Sequence, residues 1–211
     1  GSFSETDVDF DPRSGFIYNL SSNGEKDVFL AKYNSDIELQ FAFSIGGTDY
    51  DYSSQIYCND PDYIILAGRF EGTNVDFDPD EINTSYLSSW GDWDDPFIAS
   101  YSVNGNYNWA KIITGSSWEG ISAIETDDAD NIFVYGYFSG PNVDFDPGDD
   151  LYYLSSNGGF DLFYAKYSPL GDFTWAYKVG SSLQELSYDM LLDGETIYSC
   201  GSFSGTDTDF D

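Results

Sequence analysis

Histidine is absent from this 211-residue chain. That absence removes Ser-His-Asp and Cys-His catalysis and every His-ligated zinc site. Basic residues are nearly as scarce. Seven Lys and Arg stand against 38 Asp and Glu, a formal charge of −31. Nucleic acid is excluded as a partner, because its recognition needs a basic footprint. An anionic membrane surface is disfavoured for the same reason. No apolar run approaches the ~20 residues of a membrane-spanning helix, so no membrane insertion is expected. There are two cysteines, Cys58 and Cys200. The expectation for them is buried free thiols, with a disulfide left open. No stretch keeps the apolar period of a helix, and no glycine-rich phosphate loop opens one.

Aromatic side chains are plentiful, with 18 Tyr, 17 Phe and 5 Trp. So much apolar ring surface argues against disorder despite the charge. Most of these rings are expected in a core. An exposed minority could stack on sugar rings. Trp90, Trp93 and Trp118 fall outside the repeating pattern and are the ones to follow.

That pattern is the main content of the sequence. One phrase occurs four times: GSFSETDVDFDP at Gly1–Pro12, GRFEGTNVDFDP at Gly68–Pro79, GYFSGPNVDFDP at Gly136–Pro147 and GSFSGTDTDFD at Gly201–Asp211. The starts are spaced by 67, 68 and 65 residues. A near-fixed period marks an array of one supersecondary unit whose copies bury each other's apolar faces. Units are expected at 1–67, 68–135 and 136–200, with 201–211 opening a fourth. Other blocks return in the same order: Leu20–Gly24, Leu87–Gly91 and Leu154–Gly158, then Asp27–Tyr33, Asp95–Tyr101 and Asp161–Tyr167. In the first unit, β-branched and aromatic runs predict strands at Val28–Tyr33, Ile37–Ile45, Ser53–Asn59 and Tyr63–Phe70. Shorter extended pieces are expected near Val8–Phe10 and Phe16–Leu20. Asn104-Gly105, Leu170-Gly171 and Asp193-Gly194 sit where hairpin turns belong.

The expected fold class is all-β, built of tandem propeller-blade-like four-stranded antiparallel units, as a β-propeller-like or an open β array. The succession of G-x-F-x-G-T-x-V-D-F-D-P, L-S-S-N-G-G, D-x-F-x-A-K-Y and G-D-F-T-W-A resembles the bacterial β-propeller repeat known as the SBBP repeat, over essentially the whole chain. That resemblance implies a blade-like unit and an extracellular or cell-surface setting. It implies no shared catalytic residues. Both ends carry the same segment of the repeat, so the expectation is an open array that continues, with self-association head to tail into a filament.

The V-D-F-D-P block carries the sharpest chemistry. In an extended strand Asp9 and Asp11 share one face, as do Asp76 and Asp78, Asp144 and Asp146, and Asp209 and Asp211. Paired carboxylates followed by further oxygen donors, such as Asp149, suit Ca²⁺. The competing reading makes the Asp residues turn caps and the Phe a buried plug. Asn19 and Asn83 begin glycosylation sequons. No enzyme activity is expected, because near-identical repeats do not single out one active site. The favoured function is an extracellular structural repeat protein that builds a filament or surface layer. The alternative is a calcium-dependent glycan-binding or adhesion module. Symmetry discriminates between them, since a receptor needs one concave site where Trp and acidic residues converge.

Overall fold

A computed structural model describes residues 1–59, 61–91 and 93–205. The described residues contain no helix and nineteen strands. The first group is β1 (Ser2–Phe3), β2 (Val8–Asp9), β3 (Asn19–Leu20), β4 (Asp27–Tyr33) and β5 (Leu39–Ile45). The second is β6 (Tyr52–Asn59), β7 (Tyr63–Phe70), β8 (Val75–Asp76), β9 (Tyr86–Leu87), β10 (Asp95–Ser102) and β11 (Tyr107–Ile112). The third is β12 (Glu119–Thr126), β13 (Ile132–Phe138), β14 (Val143–Asp144), β15 (Tyr153–Leu154), β16 (Asp161–Tyr167) and β17 (Phe173–Val179). β18 (Glu185–Asp193) and β19 (Thr196–Phe203) follow.

The long strands pair antiparallel with their chain neighbours. β6-β7-β10-β11 and β12-β13-β16-β17 are four-stranded sheets, β1-β4-β5 has three strands and β18-β19 two. Between the second and third long strands the chain makes a two-residue ribbon: β2-β3, β8-β9 or β14-β15. The fold is an all-β array of propeller-blade-like units. Each four-stranded sheet opens at β6 or β12, so Gly68 and Gly136, where the sequence phrase begins, lie inside the second strands β7 and β13.

Stacking explains the composition of β7. Its sequence YIILAGRF is apolar without alternation because both faces are covered. Ile64 and Leu66 pack with Val28 and Leu30 of the first sheet. Ile65 and Ala67 pack with Ile121 and Val134 of the third. Burying each Ile or Leu contributes about 1.5–3 kcal/mol. The last strands β5, β11 and β17 instead mix buried and exposed positions, as sheet margins do.

The repeated phrase folds around three rings. Its G-x-F Phe, its V-D-F-D-P Phe and the Phe of the next long strand meet edge to face in each of the first three copies. Phe70, Phe77 and Phe97 have centroids 5.0–6.3 Å apart, and Phe138, Phe145 and Phe163 4.9–6.3 Å apart. Phe3, Phe10 and Phe29 repeat the arrangement. The phrase begins with glycine because a Cβ at Gly68 would meet the Tyr52 carbonyl and lie 2.7 Å from the Phe97 ring. A Cβ at Gly136 would likewise lie 2.6 Å from the ring of Phe163.

Candidate functional site

The V-D-F-D-P carboxylates organise the ribbons. The strand stops at Asp9, Asp76 or Asp144 and the chain bends, so the two Asp residues of a block do not continue along one strand face. Asp9 Oδ1 accepts N–H bonds from Asp11 (3.0 Å) and Tyr18 (2.9 Å). Asp76 Oδ1 accepts from Asp78 (3.1 Å) and Ser85 (2.7 Å), and Asp144 Oδ1 from Asp146 (3.1 Å) and Tyr152 (2.9 Å). The second Asp caps the next turn: Asp11 accepts from the Arg13 N–H, Asp78 from Asp80 and Asp146 from Gly148. These are Asx-type turns. In the first repeat the Arg13 guanidinium also grips Asp11 at 2.7 Å, and its hydrogen bonds hold that carboxyl below the usual carboxylate range. Asp149 is exposed beyond the third ribbon. Asp209 and Asp211 lie outside the described residues. Among the described residues no group of three or more acidic or cysteine side chains is arranged to hold a metal ion.

Asn19 and Asn83 are both exposed, on or beside the ribbons, and Asn83 Nδ2 donates to Asp80 Oδ1 at 3.2 Å. Cys58 and Cys200 are exposed free thiols, which corrects the expectation of burial. Cys58 lies on β6 and Cys200 on β19, at positions that neighbouring sheets leave open.

A second acidic constellation has no counterpart in the sequence reading. Asp27, Asp95 and Asp161 begin β4, β10 and β16 and are fully buried. Each meets a buried acid 24 residues on, at the start of the next sheet: Asp51, Glu119 or Glu185. The pairs gather around Gly46, Gly115 and Gly180. The point a Gly46 Cβ would occupy lies 2.6 Å from Asp27 Oδ1 and 2.7 Å from Asp51 Oδ2. Burial pushes Asp51 and Asp95 up to about 7 and Glu119 up to about 8. Burial also raises Asp27 and Asp161.

A cleft of about 610 Å³ opens between the second and third sheets. Trp90, Thr114, Asn142, Asp144, Leu151 and Tyr153 are among its walls. Trp90 is 64% exposed and Tyr153 52% exposed. Trp90 breaks the repeat. Its counterparts Asn23 and Asn157 turn their amides inward, donating to the carbonyls of Gly46 (3.4 Å) and Gly180 (3.1 Å). Trp90 keeps the backbone bond to the neighbouring acid, Asp95, and presents its indole to solvent. Trp93 and Trp118 pack against each other at 5.4 Å, both half-exposed. One concave site thus brings an indole, a phenol and a carboxylate together.

No protein-family profile matches the chain. The chain is similar to an uncharacterized WD repeat-containing protein of Acanthamoeba polyphaga mimivirus, 25% identical over 197 residues. The match covers 88% of this chain and 14% of the viral protein, so the chain spans about one seventh of that relative's length. WD repeats are propeller blades of four strands. The resemblance noted in the sequence therefore holds at the level of a propeller-type repeat rather than of the bacterial SBBP family. Sheet topology and similarity together support a tandem array of propeller-like β units.

Proposed function

We propose that this repeat segment is a non-catalytic, extracellular or cell-surface binding module that holds a neutral glycan in the Trp90 cleft. The observation that carries this reading is where repetition fails. Trp90 replaces a structural Asn and, exposed, lines a cleft of about 610 Å³ together with Tyr153 and Asp144. Flat amphipathic rings suit the apolar faces of sugars, while amide, hydroxyl and carboxylate groups take their hydroxyls. A charge of −31 disfavours uronate and sulfated chains. Glycoside hydrolysis needs two carboxylates across the bond. Asp144 is the one carboxylate among the described lining residues, and its Oδ1 is committed to two N–H groups.

A glycan array followed by calorimetry tests this. Trp90→Asn restores the residue of the other repeats and should leave the fold intact while weakening binding at least tenfold. Tyr153→Ala should act in the same direction. Absence of binding to any neutral glycan, or unchanged binding by Trp90→Asn, overturns the reading.

A structural role is the second reading, closer to secreted repeats of SBBP type. β19 is exposed along nearly its whole length, whereas its counterparts β7 and β13 are buried between neighbours. Tyr188, Leu191 and Tyr198 expose their rings and branched chain on that hairpin. Such an edge accepts another blade-like unit, head to tail, and would propagate as a filament. Ca²⁺ on the second oxygens of the ribbon Asp pairs would lower repulsion between the acidic copies. Electron microscopy and light scattering test this reading, and particles whose size does not change with concentration would contradict it.

A further inference from the structure

Each junction between successive sheets holds an asymmetric pair of carboxyls, with the roles of the earlier and later acid reversed at the middle junction. One member has its oxygens satisfied by hydrogen bonds. Asp51 accepts N–H bonds from Gly47 (2.9 Å) and Glu71 (3.1 Å). Asp95 accepts from Trp90 and from Gly115 (3.1 Å). Glu185 accepts from the Ser181 N–H (2.9 Å) and hydroxyl (2.8 Å). The other member keeps an oxygen with no partner: Asp27 Oδ1, both oxygens of Glu119, and Asp161 Oδ1. All three are fully or almost fully buried.

A buried carboxylate oxygen facing a second carboxylate is untenable as an anion, because desolvation and like-charge repulsion act together. A proton on it removes the charge and supplies a donor. Asp95 Oδ1 accepts the Gly115 N–H, and Glu119 Oε2 lies 2.9 Å from where a Gly115 Cβ would stand, so the two groups meet at that glycine. The other charged groups at these junctions do not substitute for the proton. At the middle junction Asp94 is held by Arg69 at 3.0 Å, leaving no cation on Glu119 among the contacts described. At the first, Asp49 adds repulsion on Asp51, while the Lys26 ammonium lies over the Tyr52 ring at 4.9 Å. Only at the third does a cation approach, with Lys178 Nζ 3.9 Å from Asp161 Oδ2.

We propose that the first and middle junctions each hold one shared proton, as a carboxyl–carboxylate hydrogen bond that ties one sheet to the next and opens in alkali. Glu119 is the acid and Asp95 its acceptor at the middle junction, and Asp27 plays the part of Glu119 at the first. The upward displacement of Glu119 to about 8 agrees. The folded state then binds a proton that the unfolded chain releases. Stability from this source is complete below the ordinary carboxylate value and falls, up to tenfold in the folding constant per pH unit per pair, until about pH 8.

The test is unfolding of the intact chain across that window, alongside Glu119→Gln and, as a second variant, Asp27→Asn. Each amide keeps a donor and cannot ionise. Wild type should lose stability as pH rises, each variant should flatten the loss, and infrared spectra near neutral pH should show a protonated-carboxyl band that each variant reduces. Stability unchanged across the window in wild type, or a missing protonated-carboxyl band, overturns the proposal. So does recovery in alkali by added Ca²⁺ but not by matched Na⁺, which would put a metal ion where the proton is assigned.

Discussion

The Tyr101 hydroxyl donates a 2.9 Å hydrogen bond to the carbonyl of Phe77, inside the second sheet's core. Tyr33 and Tyr167 do the same to Phe10 (2.8 Å) and Phe145 (3.0 Å). The last residue of the D-x-F-x-A-K-Y block therefore pins the ribbon that begins with V-D-F-D-P. Tyr101→Phe keeps the ring and leaves the Phe77 carbonyl unpaired in the interior. It should destabilise by about 1–3 kcal/mol, read from denaturant midpoints. An unchanged midpoint would mean that water reaches this carbonyl.

Ile37 offers the opposite sign. Its φ is +59°, and it occupies the turn position that Gly105 (φ +85°) and Gly171 (φ +79°) hold in the other sheets. An L-residue pays roughly 1–2 kcal/mol in this region, and a β-branched one is a marked outlier. Ile37 is 56% exposed, so little packing is lost with its side chain. After the unfolded-state entropy of glycine is set against the relief, Ile37→Gly should stabilise by about 0.5–1 kcal/mol. Thermal unfolding would show it as a rise in Tm.

Acid should weaken the β12–β13 turn. Burial raises the Asp127 carboxyl, but bonds from the Asn131 side chain and backbone, Lys166 and the Ala129 N–H outweigh it and hold the group at about 2. A depressed carboxyl contributes stability above its ordinary value, 3.8, and loses it as pH falls through about 2. Asp127→Asn should therefore cost stability at neutral pH and cost progressively less in strong acid. A constant difference between the two proteins would assign the effect to geometry rather than charge.

The ribbons make a further prediction about calcium. Asp76 and Asp144 already order their turns through two N–H bonds each. Tm should be the same in chelator, in Ca²⁺ and in Na⁺ of equal ionic strength. A rise specific to Ca²⁺, abolished by Asp76→Asn with Asp144→Asn, would place ions on the remaining oxygens.

Much of the architecture was legible because its signals are local. Asn104-Gly105 and Leu170-Gly171 mark turns by backbone chemistry, and both lie between paired strands. The predicted Tyr63–Phe70 strand is β7, because the continuous apolar run Ile64–Ala67 fits a strand covered on both faces. The acid pairs were not legible. Asp27 belongs to a recurring block, but among 38 acids a buried one looks like any other. Its partner belongs to the next sheet, so only the constant separation of 24 residues to Asp51, Glu119 and Glu185 could have signalled it. Trp90 stood out as an irregularity, yet the cleft beside it depends on Tyr153 and Asp144 from another sheet.

The two-sided burial of β7 and β13 makes the array resemble a row of coupled segments, each held by its nearest neighbours alone. Fraying should then advance inward from the margins. Amide exchange should be fastest along β19, whose residues stand open, and slowest at Leu66, Ala67 and Val134, in strands closed in by a sheet on either side. A ligand bridging the second and third sheets at the Trp90 cleft would slow exchange on both of its walls at once. The cleft would then act as a clasp, and occupancy could be read from protection on both sheets.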